Sequence, residues 1–429
     1  MTTLKAVRGT RDLLPPETAL WNRIEAAARS VFARYNFGEI RTPIFEDTGL
    51  FSRSVGEETD IVSKEMYTWE DRARAQSEKT QSLTLRPENT AGVVRAYIEH
   101  KLGETGQLQK LYYIGPQFRR ERPQKGRYRQ FSQIGAEIIG PPSAGSENPL
   151  RDAEILEMLA TLLDELGITG WTLHINSVGS SADRARYNET LRAALEPVAA
   201  RMCVDCQRRA VTNPLRVLDC KVPEDQSIID ALPKIVDSLD EESKTHFAKV
   251  TAALDAAGVP YTRNHRLVRG LDYYTRTTFE FTHGGLGAQN ALLGGGRYDG
   301  LSEAIGGPKA PGIGFAMGED RLVLTLQSQQ APPAEKADAY IAPLGDNVNP
   351  AALALARQLR RAGLKVELGE GTFRLKKSFE AADKVARRIV ILGEDELQSG
   401  ILTVKDFSTG IQIKVPRAEL AAFLAKRPD

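Results

Sequence analysis

Between Tyr112 and Gly140 the chain reads YYIGPQFRRERPQKGRYRQFSQIGAEIIG, and this stretch limits the fold more than any other. Apolar residues flank a charged middle that Pro123 and Gly126 interrupt, the pattern of two strands joined by a long turn. Successive side chains of a strand point to opposite faces. Ser132, Ile134, Ala136 and Ile138 therefore share one face of the second strand, and Gln133, Gly135 and Glu137 the other. The first face is apolar enough to pack on a core. The second offers an amide, a carboxylate and a glycine at which another group can approach the backbone. The turn holds Arg119, Arg120, Arg122, Lys125, Arg127 and Arg129 against Glu121 alone. Positive charge at this density is either solvated or gathered around an anion. The polar strand face beside it favours a site for a small polar ligand and a phosphate.

At 429 residues the chain has room for two to three domains. Its formal net charge is +1, so a phosphate or nucleic-acid site has to be a local patch. No apolar run approaches the roughly 18 residues of a membrane span, and MTTLKAVRGTRD lacks a signal-peptide core. A cytoplasmic protein without membrane partners is expected. Three cysteines, Cys203, Cys206 and Cys220, fit a reducing compartment without structural disulfides. Cys203 and Cys206 have zinc-knuckle spacing, with Cys220 available as a third ligand. A closed structural site needs four ligands. No further Cys or His stands nearby, and His246 is far down the chain. Ordinary reduced thiols, with no metal, are the expectation.

Along the chain, LWNRIEAAARSVFARYNF repeats apolar residues at helix spacing up to a stop at Gly38. EIRTPIFED reads as a strand, and Pro43 inside it places that strand at an edge or an interface. SLTLRPENT runs into an amphipathic helix from about Thr90 to Leu102. Glu88 and Thr90 at the junction either line a site or cap the helix. Residues 180–262 read as a mostly helical insertion. In RLVRGLDYYTRTTFEFTH, Arg269 precedes Gly270, Asp272, Tyr273 and Tyr274, as a polar pocket wall or as an arginine paired with Asp272. The three glycines of LLGGGRYDGL, before Arg297, admit a flat ring or phosphate, or simply make a tight turn. GIGFAMGEDRLVL is a strand feeding a helix with Arg321 in its first turn. A Pro/Ala linker at 328–336 then separates residues 1–327 from an alternating strand–helix unit at 337–429. Lys336–Asp429 holds 16 Lys/Arg against 12 Asp/Glu, while the remainder holds 41 against 44. Arg374–Arg388 alone has six basic and two acidic residues, a solvated helix face or an RNA-facing one.

Arginines on separate segments, no GxxxxGK[ST] loop, no kinase signature and no HExxH narrow the chemistry to phosphate handling outside the common nucleotide folds. FRRERPQKGRYRQFSQIGAE resembles motif 2 of the class II aminoacyl-tRNA synthetases, and GIGFAMGEDRLVL resembles motif 3. TDIVSKEMY, LTLRPENT and LVRGLDYYTRTTFEF resemble the histidyl-tRNA synthetase family in particular, LVRGLDYY most specifically. The likeness spans nearly the whole chain. It implies an α+β fold, with an antiparallel catalytic sheet flanked by helices, a helical insertion and a C-terminal α/β anticodon-binding domain. It also implies a homodimer with the first helix and the Pro43 strand near the interface. The substrates it implies are L-histidine, ATP with Mg2+, and tRNA(His).

Residue by residue, the resemblance matches Arg119 and Arg321 to the arginines that hold ATP phosphates. Arg269 matches the catalytic arginine bridging the histidine carboxylate and the α-phosphate. Glu88, Thr90 and Gln133 match residues around the α-amino group, and Glu137, Tyr273 and Tyr274 residues around the imidazole. The chain departs from the usual pattern at Asn89, where glycine is common, and at Arg120 and Ser132, where histidine is common. Two other readings are a histidine-binding regulatory subunit of ATP phosphoribosyltransferase and a class II synthetase for another amino acid. The first typically lacks the C-terminal domain and has degraded ATP-binding arginines. Glu137 and the tyrosine pair speak against the second.

Overall fold

The computed structural model describes residues 3–56, 59, 61–71, 80–124, 126–269, 271, 273–287, 290–329 and 336–426. Lys125, Gly270, Asp272 and linker positions 330–335 lie outside them. The chain forms two compact units, Met1–Ala331 and Pro332–Asp429.

The first unit is built on an eight-stranded sheet. Its order is Gly38–Glu39, Gln109–Phe118, Gln130–Ile139, Gly312–Gly318, Ala291–Arg297, Thr275–His283, Trp171–Ser177 and Thr262–Arg263. The six inner strands pair antiparallel, and the two short outer strands pair parallel. Alternation along Gln130–Ile139 decides what each face does. Ile134, Ala136 and Ile138 enter one core with Phe32 of helix Glu17–Arg34 and with Leu156 and Leu159 of helix Pro149–Glu165. Gln133, Gly135 and Glu137 therefore face the other side of the sheet. The first helix carries Trp21, Ile24, Ala28, Val31 and Phe32 at three- and four-residue spacing, so a single stripe is buried. It closes at Tyr35 with Asn36 at φ 63°, before the expected stop at Gly38.

EIRTPIFED does not form one strand. Gly38–Glu39 joins the large sheet and Phe45–Asp47 a separate three-stranded one, with Pro43 in the break. Proline has no N–H for a ladder. The freed carbonyls of Thr42 and Pro43 accept from Arg86 Nη1 at 3.0 and 3.3 Å.

Arg297 is not a ligand group but part of the core. It is fully buried, donates from Nε to Asp152 Oδ1 at 3.1 Å, and pairs with Asp299 at 3.0 Å. His246, on helix Glu241–Ala257, shares Asp152 at 3.6 Å, and burial pushes it down to about 4, so it is neutral here. Removing one partner of a buried ion pair leaves an uncompensated charge at a cost of about 3–5 kcal/mol. Asp152→Ala is expected to lose that much unfolding free energy in denaturant titration; a loss under about 1 kcal/mol contradicts this account.

The insertion begins with helix Ser181–Leu195, which a capping box at Ser180 and Asp183 starts. Its own apolar core runs from Val178 to Ile235. Helix Glu241–Ala257 instead adds Val250 and Leu254 to the main core.

The second unit has a mixed five-stranded sheet, in which Val366–Leu368, Ala339–Pro343 and Arg388–Leu392 run parallel. Ile401–Asp406 and Gln412–Pro416 follow as an antiparallel hairpin. Helix Leu375–Val385 keeps Lys376, Lys377 and Lys384 exposed. Arg388 turns inward, bonding Asp406 at 2.8 Å and Leu424 O at 3.0 Å. Among the described residues no helix is long and apolar enough to cross a membrane.

Candidate active site

On the sheet face opposite the helical core, a cavity of about 1030 Å³ opens, and Arg119, Arg269, Arg321 and Gln133 all line it. The three arginines come from the end of the motif 2 hairpin's first strand, the loop before Thr275–His283, and the helix Glu319–Ser328. Arg119 is fixed by its Nε to Pro87 O at 2.9 Å and lies over the Phe131 ring. Arg321 donates from Nη1 to Ala291 O at 2.6 Å. Burial pushes Arg321 below its ordinary value, and the Arg127 guanidinium pushes it further, while Glu280 and Glu121 oppose. Arg321 is thus held in place against both desolvation and a neighbouring cation, the environment that an anion would relieve.

Burial alone would lower the pKa of Arg269, but its ion pair with Glu280 raises it above the ordinary value. Its guanidinium lies flat on Gly294, where a Cβ would stand 2.6 Å from Arg269 Cζ. Of the three glycines read as room for a ligand ring or phosphate, Gly294 thus seats the protein's own planar cation, while Gly295 and Gly296 lie against Gly314 O and Thr277 O of the neighbouring strands. Gly135 is similar, because Tyr113 fills the space over it.

Beside the large cavity a smaller one of about 140 Å³ is lined by Glu88, Thr90, Arg119, Gln133, Arg269, Tyr273, Tyr274 and Tyr298. Glu88 both caps and lines. It accepts from the Thr90 and Ala91 amides at 2.7 and 3.0 Å, starting helix Thr90–Glu99, and it faces the cavity as well. Burial raises its pKa, with those amides and Arg119 pulling back. Gln133 leaves its buried Oε1 without a partner, an acceptor for an incoming N–H.

Glu137 lies beneath this pocket rather than on its surface. Thr90 Oγ1 donates to Oε1 and Tyr298 OH to Oε2, both at 2.7 Å. Gly314, paired with it across the strands, has no side chain to collide with the carboxyl. Burial pushes Glu137 up to about 8; Thr90 and Tyr298 pull it down, and Glu88 pushes it further up. Tyr273 packs tilted against Tyr274 and edge-on to Tyr298, with centroids at 4.8 and 6.0 Å.

Sequence reasoning missed two residues here. Tyr298 follows Arg297 in a stretch read as a turn, though an aromatic directly after a strand end is itself a signal for a pocket wall. Arg127, one of many hairpin arginines, lines the large cavity and bonds Glu121 at 3.3 Å. Asn89, the departure between Glu88 and Thr90, is buried and accepts from Thr42 Oγ1 at 2.6 Å, away from both cavities.

A sheet of this order, with the motif 2 and motif 3 strands as neighbours and their arginines turned to one cavity, places the chain among the class II aminoacyl-tRNA synthetases. The sequence profile described as Histidyl-tRNA synthetase matches residues 9–322, and that of the Anticodon binding domain matches 338–427. The chain belongs to the histidyl-tRNA synthetase family. The histidine–tRNA ligase of Koribacter versatilis (strain Ellin345) is 70% identical over 422 residues, covering 98% of this chain and 96% of that one. Apo S. aureus histidyl-tRNA synthetase matches with a TM-score of 0.79 at 39% identity, covering 99% of this chain and 100% of that one. A Bacillus halodurans ATP phosphoribosyltransferase regulatory subunit/histidyl-tRNA synthetase shares the fold at TM-score 0.65 and 19% identity, covering 92% of this chain and 98% of that one.

Proposed function

We infer that the chain is a histidine–tRNA ligase, which joins L-histidine to ATP as histidyl-adenylate and then to the 3′ end of tRNA(His). The observation that supports the site assignment is the convergence of Arg119, Arg269 and Arg321 on one cavity, next to a pocket of carboxylate, amide and tyrosine groups. The histidine carboxylate attacks the α-phosphorus, and the bond to the bridging oxygen breaks, releasing pyrophosphate. A carboxylate is ionised at neutral pH, so this step needs no base. Its barrier is the approach of two anions and the charge growing on phosphoryl oxygens, which fixed guanidiniums offset.

In this reading Arg269 spans the carboxylate and the α-phosphate, and Arg119 and Arg321 hold the phosphates. Glu88, Thr90 and Gln133 receive the α-ammonium, and Tyr273 and Tyr274 the imidazole, with Glu137 reached through the pocket floor where Thr90 and Tyr298 hold it. Glu121 and Glu280 also line the cavity, the hard oxygen donors that Mg2+ takes. Bound there with ATP, the ion supplies further neutralisation of phosphate charge.

The exposed lysines of Leu375–Val385 support tRNA binding by the second unit. Ile44, Phe45 and Trp69 are 45%, 53% and 40% exposed at the small sheet, an apolar patch that supports a homodimer. A cytoplasmic location fits the same activity. The regulatory-subunit reading finds no support, because all three arginines and the second unit are present. Across amino acids, pyrophosphate exchange is expected with histidine alone; equal exchange with another amino acid overturns the assignment.

A further inference from the structure

The insertion's core is small and made of short helices, and it is here that all three cysteines meet. Cys203 stands at the N-cap of helix Val204–Thr212, and Cys206 in that helix's first turn. Cys220 follows the helical turn Pro214–Val217, and Asp225 ends the turn Pro223–Asp225. One ligand atom from each, three Sγ and a carboxylate oxygen, lies within 4.8 Å of every other. Cys203 Sγ is 3.9 Å from Cys220 Sγ, which is 3.3 Å from Asp225 Oδ2. A tetrahedral zinc ion, at about 2.3 Å from sulfur and about 2.0 Å from oxygen, separates its ligands by about 3.5–3.8 Å. The two distances just given lie near those edge lengths, and the other pairs are within about an ångström of them.

Asp225 is the telling member. It is 1% exposed, and buried carboxylates are paired with a cation or hold a metal. Among the described residues its partners are the three cysteine thiols and the Cys203 amide, the amide at 3.0 and 3.2 Å from the two carboxylate oxygens, with no ammonium or guanidinium among them. The Cys203 amide orients the carboxylate, and the Val222 amide donates to Cys220 Sγ at 3.4 Å. Such outer contacts fix metal ligands in place. Ordinary buried thiols disperse through a core as small hydrophobes; these turn towards one acid.

We propose that Cys203, Cys206, Cys220 and Asp225 form a closed structural zinc site. Three thiolates and one carboxylate complete a tetrahedron with no open position, which suits a structural and not a catalytic ion. Sequence spacing supplies three of the ligands; the fourth is a carboxylate, where a Cys or His was sought. The ion staples a lobe whose apolar core is too slight to be rigid alone. That lobe matters to the site: Cys220, Lys221, Gln226 and Arg266 line the large cavity, and Val268, next to Arg269, packs on the lobe's core.

The full chain, expressed with zinc in the medium and purified under reducing conditions, is expected to carry one zinc per chain by mass spectrometry. The metal-stripped reduced chain, titrated with Co(II), is expected to develop thiolate-to-cobalt charge-transfer absorption and tetrahedral visible bands at one equivalent, which zinc abolishes. Because Cys203 is only partly buried, Cys203→Ser tests the site with least harm to the core. It is expected to weaken Co(II) binding by more than the 10–100-fold typical of outer contacts, and Asp225→Asn to alter the visible bands. A chain with no zinc and no charge-transfer band overturns the site. Unchanged Co(II) spectra and affinity in Asp225→Asn overturn the four-ligand set.

Discussion

Arg269→Ala is expected to slow histidine-dependent pyrophosphate exchange by at least about 10²–10³-fold, the usual loss when one preorganised donor to a developing charge is removed. The KM for ATP should move far less, because Arg119 and Arg321 reach the cavity independently from other segments. The split follows from geometry. Arg269 lines both the small pocket and the large cavity, so it is placed to touch the amino acid and the nucleotide together. Arg119 shares that position but is anchored to Pro87, and Arg321 lines only the larger cavity. Arg269→Lys should recover little, since an ammonium has neither the planar fork nor the shape that lies on Gly294. Truncation also leaves Glu280 without its cation, so circular dichroism has to show an intact fold before the kinetics are read. An Arg269→Ala enzyme within tenfold of the parent ends the role proposed for this residue.

What could be read from the residues alone was periodicity and local charge. Alternation in Gln130–Ile139 identifies which side of the sheet is core, as Ile134, Ala136 and Ile138 show. The antiparallel order was not legible that way. It rests on pairings between segments far apart, such as Gly314 with Glu137, and it came from the motifs' resemblance to a family. The arginines show the same limit. Arg297 and Arg388 stand in basic or glycine-rich stretches like those of the site residues, yet both are internal and paired, with Asp152 and Asp406. Spacing cannot tell a cation that awaits a ligand from one already satisfied across the fold. Glu88 resists for another reason: helix cap and pocket lining read as alternatives in the sequence, and a buried carboxyl with two oxygens performs the first while facing the cavity. Tyr298 reaches Glu137 across 161 residues, so its position after a strand end marks a pocket wall but not its partner. Asp225 is five residues from Cys220 but 22 from Cys203, and a lone aspartate in a polar stretch is not marked as a partner of either.

Glu137→Gln is expected to reduce kcat/KM for histidine by about 10–10²-fold, the worth of a hydrogen bond to a charged group, and to do so with a pH signature. In the empty site the carboxyl keeps its proton up to about 8, because burial outweighs the hydrogen bonds from Thr90 and Tyr298. The free imidazole ordinarily titrates near 6.5. Between these values one proton serves the carboxyl–imidazole pair, so binding neither takes up nor releases any, and kcat/KM should be level there. Above about 8 the pair has lost its proton, and kcat/KM should fall on an alkaline limb that glutamine removes. The substitution affects stability with the opposite sign to its effect on activity. The folded protein holds a proton that the unfolded chain gives up from 4.5, so this group erodes stability as pH rises towards about 8 and costs most beyond it. Glu137→Gln should therefore unfold at higher denaturant than the parent at pH 9, by a few kcal/mol at most, while it discriminates worse among amino acids. A variant that keeps the parent's alkaline limb and its pH–stability slope shows that Glu137 is neither the titrating group nor the imidazole's partner.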